Sequence, residues 1–156
     1  MANELETYYS EIINSIKQLG IDTNPEKLGI AMHRVYVNGS GSASDYELTE
    51  INDTFTTLIG VPKEKISGFR YSNIFSENTD SKFDWVEVLG QAGMTEARTK
   101  FYFFSDVINK WFSILAFSPK KGYAVLVFQD ITAIKTEEIK RMVAIQSQSN
   151  TSDNTK

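Results

Sequence analysis

Few side chains in this sequence have the types that catalytic or metal-binding chemistry requires. The 156 residues include no cysteine and one histidine, which excludes thiolate nucleophiles, disulfide frameworks and cysteine-ligated zinc. Glu87 and Asp84 could place a carboxylate base on one predicted helix beside an apolar cavity, but Asp84 also fits a helix cap. No nucleophile or histidine base can be combined with them. We therefore expect a protein that is not an enzyme, and a small enzyme with a carboxylate base is the less favoured alternative.

The composition predicts one globular domain. Hydrophobic residues make up 41% of the sequence, and a chain of this length buries roughly 70% of its unfolded surface. The net charge is −4, from 16 basic and 20 acidic residues, and the scattered basic residues are not the footprint of a nucleic-acid binder. The acidic start lacks the features of a signal peptide, and no apolar run approaches the ~20 residues that span a bilayer. We expect a cytoplasmic protein with no nucleic-acid partner and no membrane span in this sequence.

Hydrophobic periodicity predicts a mixed order of helices and strands. Apolar residues three and four positions apart predict an amphipathic helix from Glu4 to Leu19. Apolar runs bounded by turn residues predict five strands, at Gly29 to Val37, Tyr46 to Ile51, Glu96 to Ser105, Trp111 to Ser118 and Tyr123 to Gln129. Further helices are predicted from Asp53 to Ile59, from Pro62 to Ile66, from Lys82 to about Ala92, and after Asp130.

Polar residues mark where three of these helices begin. Asn52 is placed to cap the helix that starts at Asp53. The spacing Ser81-x-x-Asp84 predicts a capping box for the helix that starts at Lys82, with Trp85, Val88 and Leu89 as its inward stripe. Asp130 and Thr132 can both accept from backbone N–H groups and start the C-terminal helix.

The order of these elements and four sequence segments resemble a PAS domain, the sensory module of many bacterial histidine kinases and diguanylate cyclases. The segments are Glu50 to Gly60, Lys65 to Gly68, Trp111 to Pro119, and Phe128 to Thr132. The resemblance implies an α+β fold with a five-stranded antiparallel sheet, helices on one face around a small cavity, an N-terminal amphipathic helix on the other face, and a C-terminal output helix. It divides the chain into a helix and connector at 1–28, a PAS domain at 29–132, and an output helix with a tail at 133–156.

For the cavity, the resemblance implies a small-molecule ligand contacted by residues of the helices and the inner sheet face. The predicted ligand-binding residues are Asn52, Phe55, Trp85, Leu89, Phe101, Phe112, Ile114 and Phe128. Without cysteine, covalent flavin chemistry is excluded. A haem is not expected, because the helix before the third strand has no histidine, and His33 reads as a surface or satisfied core histidine.

Three other possibilities for the cavity stay open. A flavin held without a covalent bond could stack near Trp85. A small organic acid could bind Arg70, Arg98 or Lys100. The many phenylalanines also allow a cavity that side chains fill, and the protein would then be a ligand-free dimerisation module.

The predicted strand Trp111 to Ser118 has apolar residues on both faces, so both faces of the sheet must be covered. The family pattern directs Phe112, Ile114 and Ala116 inward and leaves the alternate residues outside. The N-terminal helix has a matching apolar stripe and could pack on its own sheet or on that of a second copy. We expect a homodimer whose interface contains Tyr9, Ile12, Ile16, Trp111, Leu115 and Phe117.

At the C-terminal end, Asp130 and Thr132 are the predicted signal-transmission residues, because they join the last strand to the output helix. From Gln146 the sequence is polar and predicted to be disordered. The sequence as a whole contains no kinase-type histidine box, nucleotide-binding glycine loop or metal site. The chain is then either a piece of a larger sensor or a stand-alone protein that acts through a partner, as in two-component and cyclic-diguanylate signalling.

Overall fold

The computed structural model describes residues 7–18, 27–71, 74 and 84–154, with side chains up to residue 147. Helix α1 spans Tyr9–Gln18, and strands β1 (Leu28–Val37) and β2 (Ala43–Ile51) follow. Helix α2 (Asp53–Ile59) and a 3₁₀ turn (Lys63–Lys65) precede helix α3 (Trp85–Met94). The chain continues with β3 (Thr99–Ser105), β4 (Lys110–Phe117) and β5 (Tyr123–Asp130), and helix α4 (Thr132–Asn154) leaves the last strand.

The five strands form one antiparallel sheet in the order β2-β1-β5-β4-β3. Three of the four neighbouring pairs join strands that are consecutive in sequence, namely β1 with β2, β3 with β4, and β4 with β5. The central pair joins β1 to β5, with Ala31 opposite Leu126. The register directs Phe112, Ile114 and Ala116 to the inner face, where they lie in one buried cluster with Phe128. Phe112, Ile114 and Ala116 are the three residues of β4 that the sequence predicts to face inward.

Helices α2 and α3 cover the inner face. The side chain of Asn52 accepts from the N–H of Phe55, and Gly60 ends α2 in the left-handed region at φ 74°, as the sequence predicts. Helix α3 approaches β2 so closely that a Cβ at Gly90 would lie 2.3 Å from that of Ala43. The close approach of α3 to β2 therefore requires a small residue on each element, Gly90 on the helix and Ala43 on the strand.

Helix α1 covers the outer face of its own sheet. Ile12 and Ile16 are fully buried in a second cluster with Leu115, Phe117 and three hydrophobic residues of β1, together with Val125 and Val127. The fold class predicted from the sequence is confirmed: a five-stranded antiparallel sheet with helices on one face, an amphipathic helix on the other, and a helix leaving the last strand.

The ends of several elements differ from the prediction, and strand β2 begins at Ala43, three residues earlier than predicted. Helix α3 begins at Trp85, because Asp84 has an extended conformation and caps it, accepting from the N–H groups of Val86 and Glu87. The start predicted at Lys82 and the capping role of Ser81 lie outside the described residues. Strand β3 begins at Thr99, three residues later than predicted.

Helix α4 continues to Asn154, whereas disorder is predicted from Gln146. The polar residues after Ile145 are weak helix formers, but the sequence contains no glycine or proline after Gly122. No residue there therefore interrupts a helix that has already begun.

Candidate functional site

The interior between the sheet and the helices brings together most of the predicted ligand-binding residues. Phe55, Leu89, Phe112, Ile114 and Phe128 belong to one buried cluster. Trp85 and Phe101 are partly buried and pack against it. The predicted set is therefore one contiguous region, built from α2, α3 and the inner faces of β3, β4 and β5.

Asn52 has a different role. Its Oδ1 accepts from the N–H groups of Ile30 and Phe55, both at 2.9 Å. Its Nδ2 donates to the carbonyl of Leu28 at 2.9 Å. The amide caps α2 and ties it to β1, so its hydrogen-bonding groups serve the backbone.

Tyr71 is the central residue of the interior and is absent from the predicted set. Its ring is fully buried and stacks on Trp85, with ring centroids 4.4 Å apart and planes at 24°. It is also nearly parallel to Phe128, at 5.9 Å and 21°. Tyr71 therefore contacts the helix layer through Trp85 and the sheet through Phe128.

The hydroxyl of Tyr71 belongs to a buried polar chain that ends in the sheet. The Nδ1 atom of His33 lies 3.1 Å from the carbonyl oxygen of Ala124. A carbonyl can only accept, so Nδ1 carries the proton and Nε2 is the acceptor. The Tyr71 hydroxyl, 2.6 Å from Nε2, must therefore donate. In addition, the Tyr71 N–H donates to the hydroxyl of Tyr46 at 3.0 Å.

Burial sets the protonation states in this chain. His33 is fully buried, and desolvation lowers its pKa from 6.5 to about 4 although the Ala124 carbonyl acts in the opposite direction. Burial also raises the pKa of Tyr71 well above its ordinary value. Both groups are neutral at pH 7, so the interior offers hydrogen bonds without charge.

The positively charged candidates lie outside the interior. Arg70 pairs with Asp45, with Nη1 2.5 Å from Oδ1, at a partly exposed position. The Arg70 guanidinium lowers the pKa of Asp45 through this hydrogen bond. Arg98 and Lys100 are exposed. None of these side chains supplies a buried cation for an organic acid.

The two carboxylates considered for catalysis are also at the surface. Asp84 and Glu87 are exposed and line an open depression of about 450 Å³ with Gly41 and Gln91. The Asp84 carboxylate is used by the α3 cap. Within the described part of the chain no cluster of three or more His, Asp or Glu side chains could hold a metal ion. No described helix is long and apolar enough to cross a bilayer.

A joint between β4 and the start of α4 contains both predicted transmission residues. The N–H of Trp111 donates to Oγ1 of Thr132 at 3.0 Å, and the carbonyl of Trp111 accepts from the N–H of Ile131 at 2.9 Å. Oδ1 of Asp130 accepts from the N–H of Thr132 at 2.9 Å. The start of α4 is thus held to the Trp111 backbone of β4 by one hydrogen bond to a side chain and one to a backbone group.

A cation and two aromatic rings reinforce this joint. The Lys135 ammonium lies 5.2 Å from the ring centroid of Tyr102 and 5.7 Å from that of Trp111, within the range of a cation–π contact. It also pairs with Glu138 at 3.3 Å. The second turn of α4 therefore contacts side chains of β3 and β4.

The residues predicted for a dimer interface fall into two groups. Ile12, Ile16, Leu115 and Phe117 bury one another within a single chain. Tyr9 is 43% exposed, and Trp111 is partly exposed. The four buried residues can contact a second copy only if the two copies exchange α1. Tyr9 and Trp111 are accessible without such an exchange.

The similarity of this chain to known proteins lies in the structure and not in the sequence. No family model matches the sequence, and no curated protein matches it. Among solved structures, the crystal structure of a Rhodobacter sphaeroides LOV protein is similar, with a TM-score of 0.41 and 15% sequence identity. The similarity covers 67% of this chain and 59% of the LOV protein, so the chain spans less than two thirds of that protein's length.

Proposed function

We propose that this protein is a PAS-type sensory module. A small molecule binds in the interior between the sheet and helices α2 and α3, and the change passes through Asp130, Ile131 and Thr132 to helix α4. An output domain or a partner protein of the kind used in two-component or cyclic-diguanylate signalling receives it. The protein acts in the cytoplasm.

The closeness of the interior to the α4 joint carries this proposal. Phe112 faces the interior and is the direct neighbour of Trp111, whose backbone holds α4. Phe128 faces the interior two residues before Asp130. A displacement of either aromatic ring therefore acts on a strand residue that lies one or two positions from the joint.

We also propose that the protein is a homodimer through α1 and the outer sheet face. Two copies could exchange α1, which would preserve the burial of Ile12 and Ile16 against a sheet. They could instead dock through Tyr9 and Trp111, which are accessible in one chain. Both arrangements use the residues predicted from the sequence.

Native mass spectrometry of the purified protein is the first test. A dimer with additional bound mass supports the sensory module. A dimer without bound mass favours the ligand-free dimerisation module, which is the second candidate because Tyr71 already fills the centre of the interior. A monomer without bound mass contradicts both proposals. The enzyme alternative has no support, because Asp84 and Glu87 lie at the surface.

The variant Asp130→Ala tests the transmission step. It removes the acceptor of the Thr132 N–H, and loss of such a cap costs about 0.5–2 kcal/mol of helix stability. We expect the sheet to stay folded while amide hydrogen exchange in the first two turns of α4 becomes faster. Asp106→Ala is the matched control, because it removes the same charge from an exposed turn.

The ligand arm of this test compares the protein with its retained molecule and after removal of that molecule. Faster or slower exchange in α4 on removal supports transmission. Identical exchange of α4 in the wild type and in Asp130→Ala, with and without the molecule, would refute it.

A further inference from the structure

Tyr71 is placed as a bound ligand would be placed. Its ring lies against Trp85 and Phe128, its hydroxyl is 2.6 Å from Nε2 of His33, and it is fully buried. A flat ring with stacking partners and one directed hydrogen bond is the usual anatomy of a small-molecule site. Here a residue of the chain itself occupies that position.

The groups around this position stand on strands and an α-helix, whereas Tyr71 does not. Trp85 begins α3, Phe128 lies in β5 and His33 lies in β1. Tyr71 has 3₁₀ conformation and lies between the 3₁₀ turn Lys63–Lys65 and α3. Its backbone bonds are to the Tyr46 hydroxyl and to the N–H of Ile74 at 3.1 Å. Moving the Tyr71 side chain away therefore breaks no strand ladder, and Trp85, Phe128 and His33 keep the backbone hydrogen bonds of their own elements.

The hydrogen-bonding group left behind restricts what can replace Tyr71. The Ala124 carbonyl holds the proton of His33 on Nδ1, so Nε2 accepts and requires a donor. Among the described residues the buried side chains include no carboxylate, lysine or arginine. An ionised group would enter this region without a counter-charge. A molecule that fits the position of Tyr71 is therefore neutral and flat, with one hydrogen-bond donor at the edge of its ring.

We propose that the interior binds a phenol-type ligand, which displaces the Tyr71 side chain and donates its hydroxyl to Nε2 of His33. The ligand ring stacks on Trp85 in the place of the Tyr71 ring. This assignment rests on the proposed function, since it gives the ligand class for the same interior. Tyr71 then competes with the ligand for the same position. The apparent affinity for the ligand therefore decreases as the fraction of molecules with Tyr71 in this position increases.

The test is an NMR titration of ¹⁵N-labelled protein at pH 7 with phenol and, separately, with toluene. The Trp85 indole N–H signal reports the site, and the Trp111→Phe variant identifies which of the two indole signals is Trp85. We expect phenol to shift the Trp85 signal of the wild type and to bind at least about tenfold more tightly than toluene, which cannot donate to His33. In Tyr71→Ala the competitor is removed, and phenol should bind about tenfold more tightly than to the wild type.

Phe55→Ala is the matched control. It opens a space of similar size in the same cluster, next to Phe69 and Phe128 rather than next to His33. At the site that the Trp85 signal reports, we expect phenol to bind Phe55→Ala no more tightly than the wild type, because Tyr71 still occupies the position beside His33. If Tyr71→Ala does not fold, the wild-type comparison of phenol with toluene decides alone.

Two results would overturn the assignment. Binding of phenol to Tyr71→Ala but not to the wild type would mean that the substitution creates the site. Equal binding of phenol and toluene would remove His33 from recognition.

The proposed function can fail separately. A retained molecule of another class in native mass spectrometry overturns the ligand class and leaves the sensory proposal standing. Phenol binding without any change of hydrogen exchange in α4 leaves the ligand class standing and overturns the transmission.

Discussion

At the scale of single residues, the interior is defined by a hydrogen bond between two neutral groups. The Tyr71 hydroxyl donates to Nε2 of His33 at 2.6 Å, and both side chains are fully buried. A buried acceptor that loses its donor keeps the full cost of its desolvation. The pair should therefore contribute to stability as well as define the polar end of the interior.

Tyr71→Phe keeps the stacked ring and removes the donor to His33. We expect the free energy of unfolding to fall by about 1–3 kcal/mol, because Nε2 becomes a buried acceptor without its donor. Urea denaturation followed by circular dichroism measures this difference. Tyr36→Phe is the matched control: its hydroxyl donates to Glu47 at 2.6 Å on the surface, and we expect a change within about 0.5 kcal/mol. Equal effects of the two variants would contradict the proposed role of the buried pair.

The depressed pKa of His33 predicts that acid destabilises the fold. The folded-state pKa of about 4 lies below the ordinary histidine value of 6.5, so the unfolded chain binds a proton first as the pH falls. The contribution of His33 to stability is therefore complete above pH 6.5 and is lost progressively down to pH 4. Between pH 7 and pH 5 we expect a loss of about 2 kcal/mol.

Denaturation curves of the wild type and of His33→Gln at these two pH values measure the effect. Glutamine does not titrate, so the variant should lose most of the pH dependence in this range. A pH dependence that is the same in both proteins would assign the effect to other groups.

The sequence predicts the surroundings of this pair better than the pair itself. The alternation in β1 places His33 on the same face as Ala31 and Val35, and this face is the inner one in the structure. The sequence alone cannot position Tyr71, because it lies on a connection outside the strands and α-helices and its partner is 38 positions away. Side chains on connections are placed by tertiary contacts, which no local periodicity encodes.

At the scale of elements, helix α3 lies so close to β2 that no helix side chain fits at the crossing. A Cβ at Gly90 would lie 2.3 Å from the Cβ of Ala43, much closer than two carbon atoms can approach. Glycine in a helix normally costs about 1 kcal/mol relative to alanine. Here the absence of a side chain allows the helix to lie directly on the strand.

Gly90→Ala should therefore destabilise the protein by about 1–3 kcal/mol despite the better helix propensity of alanine. The double variant Ala43→Gly with Gly90→Ala removes the opposing Cβ and should recover most of this loss. Thermal unfolding of the wild type, the two single variants and the double variant gives the coupling. Additive effects of the two substitutions would mean that the clash is relieved elsewhere.

Element boundaries were predictable where a side chain caps a helix. Asn52 caps α2, and Asp130 accepts at the start of α4, as the sequence indicates. The predicted start of α3 is three residues too early because Asp84 fits both the third helical position and the cap, and the sequence pattern cannot distinguish them. The predicted end of α4 is too early because a polar composition does not by itself end a helix.

At the scale of the whole molecule, the outer sheet face is covered by α1 of the same chain. The sequence predicts that this face must be buried, since Leu115 and Phe117 are apolar on the side opposite the core. It does not decide between the same chain and a second copy, because either arrangement buries the same residues. The homodimer stays a prediction.

Trp111→Asp tests that prediction. The substitution places a charge at an accessible aromatic position of the outer face, and we expect a dimer that uses this face to dissociate at least about tenfold more readily, because a charge would be buried in an apolar contact. Light scattering over a range of concentrations measures the mass. Val107→Asp is the control, since Val107 is 54% exposed in the turn after β3. An unchanged mass for Trp111→Asp would place the interface elsewhere.

The pairing of β1 with β5 sets the order in which the molecule can be completed during synthesis. Leu28 lies opposite Gln129, and Arg34 lies opposite Tyr123, so the centre of the sheet joins residues roughly a hundred positions apart. Until the ribosome has released β5, the β1–β2 hairpin has an open edge of apolar residues, and α1 has only part of its binding surface. Long-range pairing of this kind slows folding and exposes such edges to other chains. The nascent protein is therefore most prone to aggregate just before its fifth strand emerges, and slower translation upstream of that strand would prolong this interval.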